Sequence, residues 1–132
     1  MHSNENEKKR ISVIIPLFNA EKFLKDIVEN HPFFMAICLN NKVVGSITLE
    51  SKKDKPPSYK ELGYVLAKNY WGQGITTKAI SLALELGFKK FNCETIEALV
   101  DPENVASMRV LEKANFKKGK LLKDHLVFKN QL

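Results

Sequence analysis

The stretch Glu61–Ile80 reads ELGYVLAKNYWGQGITTKAI, and its hydrophobic period changes partway along. Leu62, Tyr64 and Leu66 alternate with Glu61, Gly63 and Val65, which predicts a strand with one set on each face. Gly72 and Gly74 then stand a residue apart in a turn. Beyond them Ile75, Ala79, Leu82, Ala83 and Leu86 recur at the spacing of one helical stripe. A strand that ends in a glycine turn and opens a helix aims free backbone N–H groups, and the helix's positive end, at one point. A phosphate fits that point best, and the glycines let it approach without meeting a Cβ. An ordinary turn has the same outline, so the glycines alone decide little. The dinucleotide fingerprint GxGxxG fails because Thr77 stands where its third glycine belongs, and no GK[ST] follows to make a Walker A loop.

Two motifs together are more specific. The run ELGYVLAKNYWGQGITTKAI, followed by IEALVDPENVASMRVLEKANF, resembles the GNAT superfamily of acyl-CoA N-acetyltransferases, in the branch of ribosomal-protein and plant GNAT-like enzymes. The resemblance covers residues 34–123. It implies an α/β (α+β) fold with a mixed, mostly antiparallel central sheet flanked by helices, its strands splayed at the cofactor site. It also implies an N-acetyltransferase that moves an acetyl group from acetyl-CoA to a primary amine by direct attack in a ternary complex, with no metal. In that family a loop Q/R-x-x-G-x-G/A holds the pyrophosphate, and here Asn69-Tyr70-Trp71-Gly72-Gln73-Gly74 occupies it. Asn69 replaces the usual Arg or Gln, and Thr76 and Lys78 stand where Ala and Glu are common. Neither change removes a backbone donor. The resemblance thus places the cofactor against Tyr70, Trp71, Gly72, Gln73, Gly74, Ile75 and Thr76. It pairs the pantetheine arm with the strand edge at Val65 and Leu66, and hydrogen-bonds that arm to Asn104.

Catalytic candidates are fewer. An amine must lose a proton as it attacks a thioester, so a positioned carboxylate is useful. Glu61 is the first candidate, since some GNAT enzymes carry a general base near this point of the fourth strand; a solvated strand-end glutamate would read the same. Glu97, on the following strand, is the second. Ser107 lies one turn beyond Asn104 and, by resemblance, near the thiol, where its hydroxyl is placed to protonate the leaving thiolate; a helix cap would look alike. The tyrosine that many GNAT enzymes use as acid is replaced by Leu111.

With 132 residues the chain is long enough for a single core. The expected division is a polar, disordered tail over residues 1–10 and one acetyltransferase domain over residues 11–132. No apolar run approaches the length of a membrane span, and MHSNENEKKR lacks the apolar segment of a signal peptide, so the expected location is cytoplasmic. The cysteines, Cys38 and Cys93, are expected to be reduced and buried within strands, and His2, His31 and His125 are scattered, so no metal is expected. The net charge of +6 suits nucleic acid in principle, but the basic residues are dispersed without an RNA-binding signature, which leaves solubility or steering of a phosphate cofactor.

The other elements follow from local signals. Residues 10–18 read as a strand ended by Pro16, and Ala20–Glu29 as a helix. ISVIIPLFNAEKFL also looks like the opening of nucleotide-sugar glycosyltransferases, but their later Asp-x-Asp is absent. Phe34–Leu39 and Lys42–Glu50 should form a hairpin across Asn40-Asn41. A helix should run to about Lys90, a strand should span Thr95–Val100, and a second helix should start with Asp101 as N-cap and Pro102 at its first position and run to Ala114. Asn115 stands where the family has glycine, at a position requiring positive φ. Phe116–Leu122 and His125–Lys129 supply a sixth strand and a short tail strand, with the family's seventh strand expected to be lacking and the acceptor half reduced. A shortened product, a homodimer completing its sheet with a partner strand, and a non-catalytic acyl-CoA-binding or interaction module are the readings this leaves open.

Overall fold

The structure, a computed structural model, describes residues 11–14 and 34–131. Seven strands form one sheet in the order β1-β2-β3-β4-β5-β7-β6. They are β1 (Ile11–Ile14), β2 (Phe34–Leu39), β3 (Lys42–Ser51), β4 (Tyr59–Leu66), β5 (Thr95–Val100), β6 (Lys117–Leu122) and β7 (His125–Gln131). Two α-helices, α1 (Ile75–Lys89) and α2 (Val105–Lys113), and a 3-10 turn at Lys68–Tyr70 complete the described chain. Every pairing is antiparallel except β4 with β5. The predicted tail, the helix over 20–29 and most of the glycosyltransferase-like segment lie outside the described residues.

Local chemistry sets the turns. Asn40 and Asn41 both hold positive φ, 52° and 68°, which matches the right-handed twist of a two-residue hairpin. Asn115 sits at φ 68° after α2, where its short side chain tolerates the left-handed region in place of glycine. Alternation in β4 holds as read: Leu62 and Leu66 enter the core while Val65 is exposed. The stripe on α1 is rotated from the one expected. Ile75, Ala79 and Ala83 are buried, but Ile80, Leu84 and Gly87 join them, and Leu82 and Leu86 are only half-buried. Gly87 lets the helix pack closely, since a Cβ there would come within 3.0 Å of the Ile96 Cδ1 and 3.2 Å of the Leu49 Cδ1, and those side chains would have to give. The helix lies low on the sheet.

Three further expectations are corrected. The seventh strand is present: β7 inserts between β5 and β6, paired with β5 from Thr95↔Gln131 to Val100↔Leu126, and buries Phe128 completely. A pairing of that kind depends on distant sequence, so the tail's local pattern understates it. Cys93 is buried but lies in the turn before β5 rather than in a strand, and burial raises its thiol pKa. The second helix begins later than predicted. Asp101 accepts from the Glu103 amide within a turn, whereas Asn104 is the N-cap, its Oδ1 accepting from Ser107 N–H at 3.1 Å. Both side chains are good caps, and the intervening turn places the second at the helix.

Candidate active site

The site begins where two parallel strands stop pairing. β4 and β5 are in register only over Tyr59↔Thr95, Lys60↔Ile96 and Glu61↔Glu97, although β4 continues to Leu66 and β5 to Val100. Beyond Glu61 they part, as the predicted splay requires. The other edge of β4 stays bonded to β3, where Ala67 N–H donates to the Val44 carbonyl at 2.9 Å. Alternate residues of a strand direct their amides to opposite edges. Val65 therefore points its polar groups at β3, and its carbonyl crowds Gly45 so closely that a Cβ there would lie 2.2 Å away. Tyr64 and Leu66 turn theirs towards the gap. The edge expected at Val65 and Leu66 is thus supplied by Leu66 and Tyr64.

That gap is a cleft of about 380 Å³ lined by Tyr64, Val65, Leu66, Trp71, Gly72, Thr76, Asn104 and Ser107, with Ala106 and Val110. Most of the residues assigned from sequence to the cofactor thus meet in one place. Tyr70, Gln73, Gly74 and Ile75 do not line it: Ile75 is core, Tyr70 packs against the core, and Gln73 and Gly74 belong to the exposed turn above. Trp71 Nε1 donates to the Leu66 carbonyl at 2.7 Å, tying the loop to the strand end. Gly72 and Gly74 hold φ of 76° and 78°, and a Cβ at either would meet nothing, so backbone conformation and not crowding requires glycine. Gly74 is the N-cap of α1, no side chain caps the helix, and its first turn carries no acidic residue. The leading amides of a fifteen-residue helix are therefore available to an anion.

At the cleft's inner side, the hydroxyls of Tyr64 and Ser107 share a short hydrogen bond. Burial raises the Tyr64 phenol, and the Ser107 contact only partly offsets it, so the ring keeps its proton at neutral pH. Sequence reading missed Tyr64. Its only signal was a polar tip on the core-facing set of β4, and its partner lies 43 positions away. Leu111, by contrast, is fully buried core.

The carboxylates lie on the opposite face of the sheet. Glu61 and Glu97 are register partners, and Lys52 serves both: it bonds Glu97 closely and stands 3.4 Å from Glu61. Glu97 is buried and also accepts from the Tyr59 hydroxyl. Burial alone would raise its pKa, but the Lys52 and Tyr59 hydrogen bonds, with the charges of Lys52 and Lys129, hold it below the usual carboxylate range. The Tyr59 phenol is pushed far above its ordinary value by burial and by Glu97. Lys52 is raised chiefly by its bond to Glu97. Glu61 keeps more of its surface in solvent, with 37% of its side chain exposed against 6% for Glu97.

Comparison with known proteins bears on this geometry. The family profile described as "Acetyltransferase (GNAT) domain" matches residues 4–117. The "Probable N-acetyltransferase YjcK" of Bacillus subtilis (strain 168) is 33% identical over 114 residues, 86% of this chain and 59% of that protein. The "Uncharacterized N-acetyltransferase p20" of Bacillus licheniformis is 37% identical over 79 residues, 60% of this chain and 44% of that protein. The solved structure of Mycobacterium smegmatis RimJ in complex with CoA-disulfide is similar at a TM-score of 0.73 and 27% identity, over 83% of this chain and 57% of that one. The chain spans about half the length of these curated relatives.

Proposed function

The chain belongs to the acetyltransferase (GNAT) family, and from that premise we propose that it transfers an acetyl group from acetyl-CoA to an amine by direct attack within a ternary complex. The observation that carries the proposal is the parting of β4 and β5 beyond Glu61↔Glu97, which leaves strand amides facing a cleft that leads to an uncapped helix N-terminus. The donor set fits the ligand. Backbone N–H groups at Gly72–Thr76 suit a pyrophosphate, the edge of β4 that parts from β5 at Tyr64 and Leu66 suits an amide-bearing pantetheine arm, and the Nδ2 of Asn104, whose Oδ1 serves as the cap, is a further donor to it.

Acetyl-CoA supplies the activated thioester. Strand amides stabilise charge developing on its carbonyl oxygen, and fixed positioning lowers the entropic part of the barrier. Glu61 takes the proton lost by the amine, directly or through water. Of the two carboxylates it is the better base, because both close donors of Glu97 are already committed to that residue. The Ser107–Tyr64 hydroxyl pair donates a proton to the departing sulfur, with Tyr64 protonated and in contact with Ser107. The amine approaches from the face opposite the helices, where both carboxylates lie. The non-catalytic alternative drew on an absent seventh strand and on Leu111 in place of the family's tyrosine; that strand is present, and Leu111 is buried core.

Thermal unfolding with and without acetyl-CoA tests the reading. Ligand at 100 times its dissociation constant adds about 2.7 kcal/mol, and the shift should vanish when Gly72 and Gly74 are both replaced by valine. Thiol release with an amine panel then separates turnover from binding, and turnover should fall in Glu61→Gln while the thermal shift persists. Absence of any shift in the folded protein overturns the cofactor assignment. A shift without turnover of any amine leaves the binding module as the correct reading.

A further inference from the structure

The outer face of the sheet, beyond the carboxylates, holds a second and larger groove of about 800 Å³. Its apolar floor is Leu99 on β5, Val127 on β7 and Leu122 on β6. Its walls carry Lys52, Lys55, Lys120, Lys123, Lys129 and His125 against one carboxylate, Glu97. That carboxylate is already matched by Lys52 and Tyr59. Lys55 and Lys129 stand over the Tyr59 ring, at 4.7 and 5.7 Å from its centre. Lys120 and Lys123 have no ion-pair partner among the described residues. The groove therefore has a surplus of positive charge that its own residues do not compensate, above a partly apolar floor.

We infer that this groove receives the amine acceptor, and that the acceptor is an acidic peptide segment whose terminal amine reaches Glu61. The inference rests on the proposed acetyl transfer. Position supports it: Glu97 lines the groove and is the register partner of Glu61, so a chain lying over β5 and β7 has its end one strand spacing, about 4.8 Å, from the place where β4 and β5 part. Charge complementarity supports it too, since carboxylates of the segment would meet the ammonium groups of Lys120 and Lys123, which have no ion-pair partner among the described residues. The volume suits a few residues of extended chain. Nucleic acid fits less well, because Tyr59 is buried beneath two lysines, which leaves the His125 imidazole as the one ring of the lining exposed for stacking, and the lining holds no arginine.

Direct binding distinguishes this from failure of the catalytic reading. The full chain is titrated against a labelled pentapeptide that has a free N-terminal amine followed by alternating aspartate and glycine, and against the same peptide with asparagine for aspartate. The acidic peptide should bind at least about tenfold more tightly. That preference should shrink at high salt and disappear in the double variant Lys120→Glu, Lys123→Glu. Both lysines are exposed, so the variant should keep its fold and its stabilisation by acetyl-CoA. Equal affinity for the two peptides, or a preference unchanged in the double variant, overturns the inference. So does tighter binding of a single-stranded RNA of equal net charge. If acetyl-CoA fails to stabilise the chain, the catalytic reading falls, while the peptide titration still decides whether the groove takes acidic chains.

Discussion

Replacing Lys52 by methionine isolates the charge network beneath the proposed acceptor groove. In the native chain Glu97 has a depressed pKa, so its contribution to stability is complete above the unfolded carboxyl value of about 4.3 and is lost as pH falls through the lower folded value. Lys52 is raised, so its share is complete below about 10.4 and lost as pH rises through the folded value. Native stability should therefore be flat with respect to this pair across neutral pH. Without Lys52, Glu97 keeps the Tyr59 hydroxyl and the more distant charge of Lys129, and burial becomes the dominant influence on its carboxyl. Breaking a fully buried pair costs about 3–5 kcal/mol. Here 28% of the Lys52 side chain is exposed, so water shares its role, and about 2 kcal/mol is the better figure. With an unfolding entropy of about 2.1 cal/mol/K per residue over 132 residues, that loss lowers Tm by about 7 °C at pH 7. The carboxyl pKa should now lie above its unfolded value, so the variant gains stability as pH falls from 7 towards 5, whereas the native chain does not. Adding Glu97→Gln should recover much of the loss by removing the unpaired charge. Melting curves across pH test this. A variant whose Tm and pH profile both parallel the native chain would refute the assigned role of Lys52.

Tyr64→Phe and Ser107→Ala should each lower kcat by about 10-fold to 100-fold in a thiol-release assay while leaving stabilisation by acetyl-CoA intact, in line with loss of a positioned proton donor. An unchanged kcat in both variants would remove the hydroxyl pair from the mechanism. Gly45→Ala should cost about 3 kcal/mol, because its Cβ would meet the Val65 carbonyl at 2.2 Å with backbone on both sides. Denaturant unfolding reads that cost directly. The same variant should also weaken stabilisation by acetyl-CoA, since the strain falls on the strand that edges the cleft.

Sequence reading succeeded where the deciding physics is local. The alternation of Leu62, Tyr64 and Leu66, the Asn40-Asn41 turn, positive φ at Asn115 and the glycine turn between β4 and α1 are each set by a few neighbouring residues. The same reading missed features fixed by distant partners. β7 reads as a weak tail until β5 offers it an edge, and the Tyr64–Ser107 bond joins positions that no helical or strand period relates. The cap of α2 failed for a different reason. Asp101 and Asn104 are comparable caps three residues apart, and only the turn between them shows that Asn104 reaches the Ser107 amide. The candidate cleft was legible because its loop is nearly contiguous in sequence. The groove on the other face was not, because its lysines come from β6, β7, the β3 end and the loops between strands.

Lys52 also explains why two carboxylates tolerate adjacent positions at the last register pair of β4 and β5. Parallel neighbours stand about 4.8 Å apart, so Glu61 and Glu97 would repel unless a cation lay between them. Lys52 is that cation, and it divides its contacts unequally, closely bonded to Glu97 and 3.4 Å from Glu61. Tyr59 reinforces the inequality by donating only to Glu97. One carboxylate is thereby fixed as a buried, ionised support for the strand pair, and the other keeps 37% of its side chain in solvent with one weaker ion pair among the described residues. General-base chemistry needs a carboxylate whose lone pairs are not already taken. In the mechanism we propose, the asymmetry of one lysine favours Glu61 over its better-buried neighbour as the group that meets the amine.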